Sequence, residues 1–73
     1  MGNINSISDA GVSAELAYAG AMGAAMNVRI NLKNIDNIQY CQKMEKQTAK
    51  LIKEAEDVLA IVRRTVLKKI NSD

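Results

Sequence analysis

The side chains with reactive or charged atoms in this 73-residue chain are the thiol of Cys41, the carboxylates of Glu54, Glu56 and Asp57, and the cations Arg29, Lys33, Arg63 and Arg64. A thiol becomes a nucleophile when a neighbouring base takes its proton. The chain has one Cys and no His, so Cys41 has no imidazole beside it, and its place on an apolar helical stripe makes it a small core residue. The three carboxylates are spaced as one solvated helix face, not as an acid and a base on opposite walls of a cleft. A structural zinc site wants four Cys or His ligands, and no glycine-rich loop precedes a helix in the manner of a phosphate cradle. Gly20 and Gly23 fall inside a helical segment. These residues alone predict a non-catalytic chain with no cofactor and no metal. Arg29, Lys33, Arg63 and Arg64 are the candidate contacts for a small anion held between subunits.

Two further signals concern surfaces. The opening "MGNINS" fits the N-myristoylation pattern at Gly2. The terminal "VLAIVRRTVLKKI" is basic and amphipathic, a composition suited to an anionic membrane or, more simply, to a core-packed helix whose last turns carry the cations its dipole favours. The net charge is +2 and the only aromatics are Tyr18 and Tyr40, which argues against nucleic acid as a partner. The longest uncharged run, Leu16 to Val28, falls short of the roughly 20 residues that cross a bilayer. The expected location is the cytoplasm, or outside the cell by a route that cleaves no signal peptide.

The elements that must position these groups are helical. There is no Pro, and Ala, Lys and Glu are abundant, a composition that favours long helices. The segmentation reads as a polar arm over 1–8, a first helix over 9–27 capped by Ser8 or Asp9, an extended connector over 28–35, and a second helix over 36–71, all in one domain. In the connector Val28, Ile30 and Leu32 alternate with Arg29, Asn31 and Lys33, the period of a strand. Asp36 with Gln39 has the spacing of a capping box.

Projected at 100° per residue, the first helix has no polar half. Val12, Leu16, Tyr18, Met22 and Met26 share one side. Ser13, Ala17, Gly20, Ala21, Ala24 and Ala25 share the other, at a spacing that lets two backbones approach closely. The Met side, with Met44 of the second helix, suits an adaptable contact. On the second helix Cys41, Met44, Thr48, Ile52, Ala55, Leu59, Val62, Val66 and Ile70 form one stripe, widened by Leu51 and Val58. The second helix is about 52 Å long and the first about 27 Å, so a folded-back first helix leaves the richer end of the stripe bare. Burying such side chains is worth roughly 1.5 to 3 kcal/mol each, and soluble monomers rarely expose so many together.

The reading is therefore an all-α two-helix hairpin, with a short Ala/Gly-rich helix, an extended connector and a long amphipathic helix. It assembles into an oligomeric bundle or filament, or onto a helical partner. The expected interface residues are Ala17, Gly20, Ala21, Ala24, Met22, Met26, Leu51, Val58, Leu59, Val62, Val66 and Ile70. In outline such a chain resembles small secretion-system substrates and their partners, without the W-x-G signature between helices. The expected function is a self-assembling structural or secretion-associated subunit. The alternative is a phage-type regulatory or anti-defence protein that sequesters a nucleotide or a host protein. Membrane association is the weaker third reading.

Overall fold

The computed structural model describes residues 4–72. Residues 1–3 lie outside them, so the myristoylation pattern at Gly2 falls outside the described residues. Two antiparallel helices, α1 over Ile4–Leu32 and α2 over Ile38–Asn71, make a hairpin with extents of 56 × 16 × 15 Å, and no strand occurs among the described residues.

Helix α1 has 29 residues, about 44 Å at 1.5 Å per residue. It is longer than its sequence suggests at both ends. Ser8 and Asp9, expected to cap it, lie inside it. Residues 28–32, expected to be extended, are helical. The reason is tertiary. Val28 and Leu32 are four apart, so a helix turns both toward α2, where each is half-buried. The alternating pattern that suggested a strand leaves Ile30 exposed. Burial of Val28 and Leu32 on one partner outweighs a weak β preference. The mismatch in length consequently shrinks. α2 has 34 residues, about 51 Å, and α1 runs beside most of it.

The reversal occupies Lys33–Asn37. Lys33 N–H, Asn34 N–H and Ile35 N–H donate to the carbonyls of Ile30, Asn31 and Leu32 at 3.2, 3.4 and 3.1 Å, which tightens the end of α1 into three-residue turns. Asn37, not Asp36, caps α2: its backbone is extended, and its side-chain oxygen accepts from Tyr40 N–H at 2.9 Å. The Cys41 thiol lies over the same turn, 3.6 Å from the Leu32 carbonyl and 3.5 Å from that of Ile35, and donates to them.

The seam between the helices follows a heptad. On α1 the seam positions are Ile7, Gly11, Ala14, Tyr18, Ala21, Ala25, Val28 and Leu32, alternating four and three apart, with Met22 half-covered beside Ala21. On α2 they are Cys41, Met44, Thr48, Ile52, Ala55, Leu59, Val62 and Val66, as the stripe predicted. Ile70 is the exception. It is 52% exposed, and Lys69 is the half-covered residue in the last turn. Small residues on α1 bring the helices together. At Gly11 an added Cβ would lie 3.1 Å from a Val66 methyl, tighter than ordinary contact.

The core is thin. Among the described residues only Ala25, Thr48 and Leu59 are buried. The Thr48 hydroxyl is satisfied by donating to the Met44 carbonyl at 2.8 Å, so its burial leaves no polar group unpaired.

Candidate functional site

A two-helix hairpin has two flanks beside its seam, and here they differ. On one flank, ion pairs bridge the helices. Arg63 meets Glu15 through two parallel hydrogen bonds, Nε to Oε2 at 2.5 Å and Nη2 to Oε1 at 2.7 Å. Nearer the turn, Arg29 reaches Glu45 through Nε, at 3.0 and 3.1 Å to the two carboxylate oxygens, and through Nη2 at 2.8 Å. The two pairs stand fourteen residues apart on α1, about 21 Å along the axis. The hydrogen bonds from Arg63 hold the Glu15 carboxyl below its ordinary range, against the opposing effect of desolvation, and the same bonds raise the Arg63 guanidinium. Both partners are solvent-accessible, so these pairs contribute more to register than to stability.

The other flank is an open apolar trough. One stretch is lined by Ala14, Ala17 and Tyr18 of α1 and by Leu51, Glu54 and Val58 of α2. The next, toward the turn, is lined by Ala21, Ala24 and Val28 with Thr48, Leu51 and Ile52. Leu51 belongs to both, so the trough is continuous. Its α1 wall is nearly flat because its side chains are methyl groups; its α2 wall is formed by Leu51, 64% exposed, and Val58, 58% exposed.

The residues expected at an interface divide accordingly. Ala17, Gly20, Ala24, Met26, Leu51, Val58 and Ile70 are exposed in the hairpin. Ala21, Met22, Val62 and Val66 are half-buried, and Leu59 is buried against α1 of its own chain. The expectation that Leu59, Val62 and Val66 stand bare is corrected by the extra length of α1, which reaches them. Val58 stays bare because it points into the trough. The large side of α1 is also uncovered: Val12, Leu16, Met26 and Ile30 are all more than half exposed.

The four candidate anion contacts do not converge. Arg29 and Arg63 are each engaged by a glutamate. Lys33 lies at the end of the turn next to α1, and Arg64 on the side of α2 away from α1; both are exposed. Of the carboxylates, Asp57 accepts from Lys53 one turn earlier at 3.0 Å, which raises the Lys53 ammonium. Glu54 lines the trough. No group of three or more His, Cys, Asp or Glu that could hold a metal occurs among the described residues. No helix there is long and apolar enough to cross a membrane.

Sequence reading missed the two inter-helix ion pairs. The signal was present, since Glu15 and Arg29 lie on one side of α1 and Glu45 and Arg63 on one side of α2. Using it required the antiparallel register, which the assumed connector over 28–35 displaced.

The family model for formiminotransferase-cyclodeaminase matches residues 1–50, that is α1, the turn and the first part of α2. The chain belongs to the formiminotransferase-cyclodeaminase family. A methenyltetrahydrofolate cyclohydrolase from Methylorubrum extorquens is 40% identical over 70 residues, 96% of this chain and 34% of that protein. The chain thus spans about a third of the length of this curated relative. No solved structure matches.

Membership in this family overturns the expectation of a non-catalytic structural or secretion-associated subunit, and with it the phage-type alternative. The family is one of enzymes, and the relative is named for a folate reaction. The sequence argument failed for a definable reason. It weighed the catalytic potential of these 73 residues alone, whereas two-thirds of the relative lies beyond the match.

Proposed function

We propose that the hairpin is a structural unit of a folate-processing enzyme of the methenyltetrahydrofolate cyclohydrolase type. The observation that carries this reading is the 40% identity over nearly the whole chain to a protein named for that activity. Cyclohydrolysis adds water to the methenyl carbon and opens one of its bonds to nitrogen, leaving a formyl group. The hairpin's part is to supply two helices of fixed register, held by Glu15–Arg63 and Arg29–Glu45, with apolar surface on which further helices complete the fold. The small core of the hairpin supports that role, because domains of this size commonly draw stability from another polypeptide surface. Lys33 and Arg64, which carry no ion pair with a described carboxylate, are the remaining candidate anion contacts of the complete enzyme.

A segment swap tests the reading. The 70 matching residues of the Methylorubrum enzyme are replaced by those of this chain, and loss of the methenyltetrahydrofolate chromophore is followed. Turnover within tenfold of the parent is the expected result. A chimera that folds with parental helicity and oligomeric state but has no cyclohydrolase activity would refute it.

A further inference from the structure

The back of α2, turned away from α1, concentrates the positive charge of the chain. The stripe against α1 runs through Met44, Thr48, Ala55, Leu59 and Val66. Half a turn round from it, Lys43, Lys46, Lys50, Lys53, Arg64 and Lys68 fall within about 80° of arc, and all six are exposed. They form a straight ridge about 38 Å long at 1.5 Å per residue. Asp57 is the one carboxylate on it, and Lys53 holds it at 3.0 Å. The other five cations make no ion pair among the described residues. Six cations and one carboxylate give the ridge +5, whereas the whole chain carries +2, so the remaining residues carry −3.

A merely solvated helix face gains from acids and bases placed four apart. Here Lys46 precedes Lys50 by four and Arg64 precedes Lys68 by four, and like charges at that spacing destabilise a helix. The carboxylates that could relieve them point elsewhere: Glu45 to Arg29, and Glu54 into the trough. Such segregation costs the isolated hairpin and is repaid only against an anionic surface.

We propose that this ridge lies along an anionic lipid surface and holds the protein there by charge, without insertion of a helix. No helix among the described residues is long and apolar enough to cross a membrane, so the attachment is peripheral. The ridge stays free for it when the fold is complete. The trough and the outer side of α1 are the apolar surfaces on which further polypeptide packs, and covering a row of unpaired cations is costly. Three features favour lipid over nucleic acid. A plane meets a straight rod along its whole length, whereas a duplex curves away from it. Five of the six cations are Lys, which suits a diffuse field of headgroups better than bidentate capture of single phosphates. Ile61, 54% exposed, stands in the row between Asp57 and Arg64; it sheds apolar surface at a membrane interface and gains nothing against phosphate oxygens. The proposal does not depend on the folate reading, since it concerns where the protein is held and not what it converts.

The experiment sediments the chain with phosphatidylcholine vesicles, with or without about 30% phosphatidylserine, at about 100 mM salt, with helicity from circular dichroism. The chain is expected to bind the anionic vesicles alone and to lose at least tenfold in affinity between about 50 and 300 mM salt. Each Lys at such a surface is worth about fivefold, so Lys46→Gln with Lys50→Gln weakens binding about 25-fold. Asn27→Asp with Asn31→Asp lowers the net charge by the same two units, at exposed positions of α1. Those lie on the far side of a hairpin 16 Å across, beyond the screening length of about 10 Å, and binding changes less than about threefold. Equal losses in the two doubly substituted chains would reduce the effect to net charge, as an unfolded chain would also show, and would overturn the proposal. So would binding that survives high salt, no preference for the anionic vesicles, or tighter binding to double-stranded DNA at the same salt.

Discussion

Leu59 is 4% exposed and lies on the seam, held against α1 of its own chain. Leu59→Ala removes three carbons from that contact, each worth about 0.8 kcal/mol, or about 2.4 kcal/mol in transfer free energy. In a deep core a cavity term would be added. In a hairpin this thin the neighbours relax and solvent reaches the gap, so the cost stays near the transfer value, about 2 to 3 kcal/mol. For a domain of this size that lowers the melting temperature by about 10 to 20 °C. Leu67, at 60% exposure on the same helix, is the internal control, and Leu67→Ala costs under about 0.5 kcal/mol. Urea unfolding followed by circular dichroism at fixed chain concentration gives both values from the shift in midpoint. Equal losses at the two positions, or a loss below about 1 kcal/mol at Leu59, would show that this antiparallel seam is not what holds the helices together.

Other substitutions probe the local devices. Asn37→Ala removes the side-chain acceptor of Tyr40 N–H and lowers stability by about 1 kcal/mol, while Asp36→Ala changes it little; thermal melts compare them. Because the Arg63 hydrogen bonds hold the Glu15 carboxyl low in the folded state, the pair stabilises above the carboxyl's ordinary titration, about pH 4.3, and that contribution is lost as pH falls through the lowered value. Glu15→Gln therefore flattens the acid limb of a stability-against-pH curve and leaves the curve's shape above pH 6 unchanged. At Gly11 the two effects of alanine compete: about 1 kcal/mol of helix propensity is gained, but the new Cβ sits 3.1 Å from Val66. Gly11→Ala is expected to be neutral or destabilising alone and stabilising when combined with Val66→Ala relative to Val66→Ala itself, read from a double-mutant cycle.

The α2 stripe was legible because its residues recur three and four apart over many turns, and the structure covers it from Cys41 to Val66, leaving Ile70 and the widening residues Leu51 and Val58 exposed. The all-helical hairpin followed from composition and that periodicity. The boundaries of α1 were not legible, for opposite reasons at its two ends. Ser8 and Asp9 are chemically good caps, yet the helix continues through them to Ile4. Val28–Ile30–Leu32 alternate like a strand, yet their burial is decided by contact with α2, which local pattern does not contain. Both errors shortened α1, and the inferred bare end of α2 followed from that. The exposed trough was partly legible, since Ala17, Gly20, Ala24, Leu51 and Val58 were singled out by size and spacing. The enzymatic family was not, because no group in this hairpin advertises folate chemistry.

The turn at Lys33–Asn37 has a kinetic consequence. A link of so few residues makes the entropy of bringing its ends together small, and nearly every inter-helix contact can then form by zipping outward from Leu32 and Cys41. The chain should therefore pair early at its tip and last where Gly11 meets Val66. Amide hydrogens near that far end will trade with solvent soonest, even while the helices around the Asn37 cap remain closed.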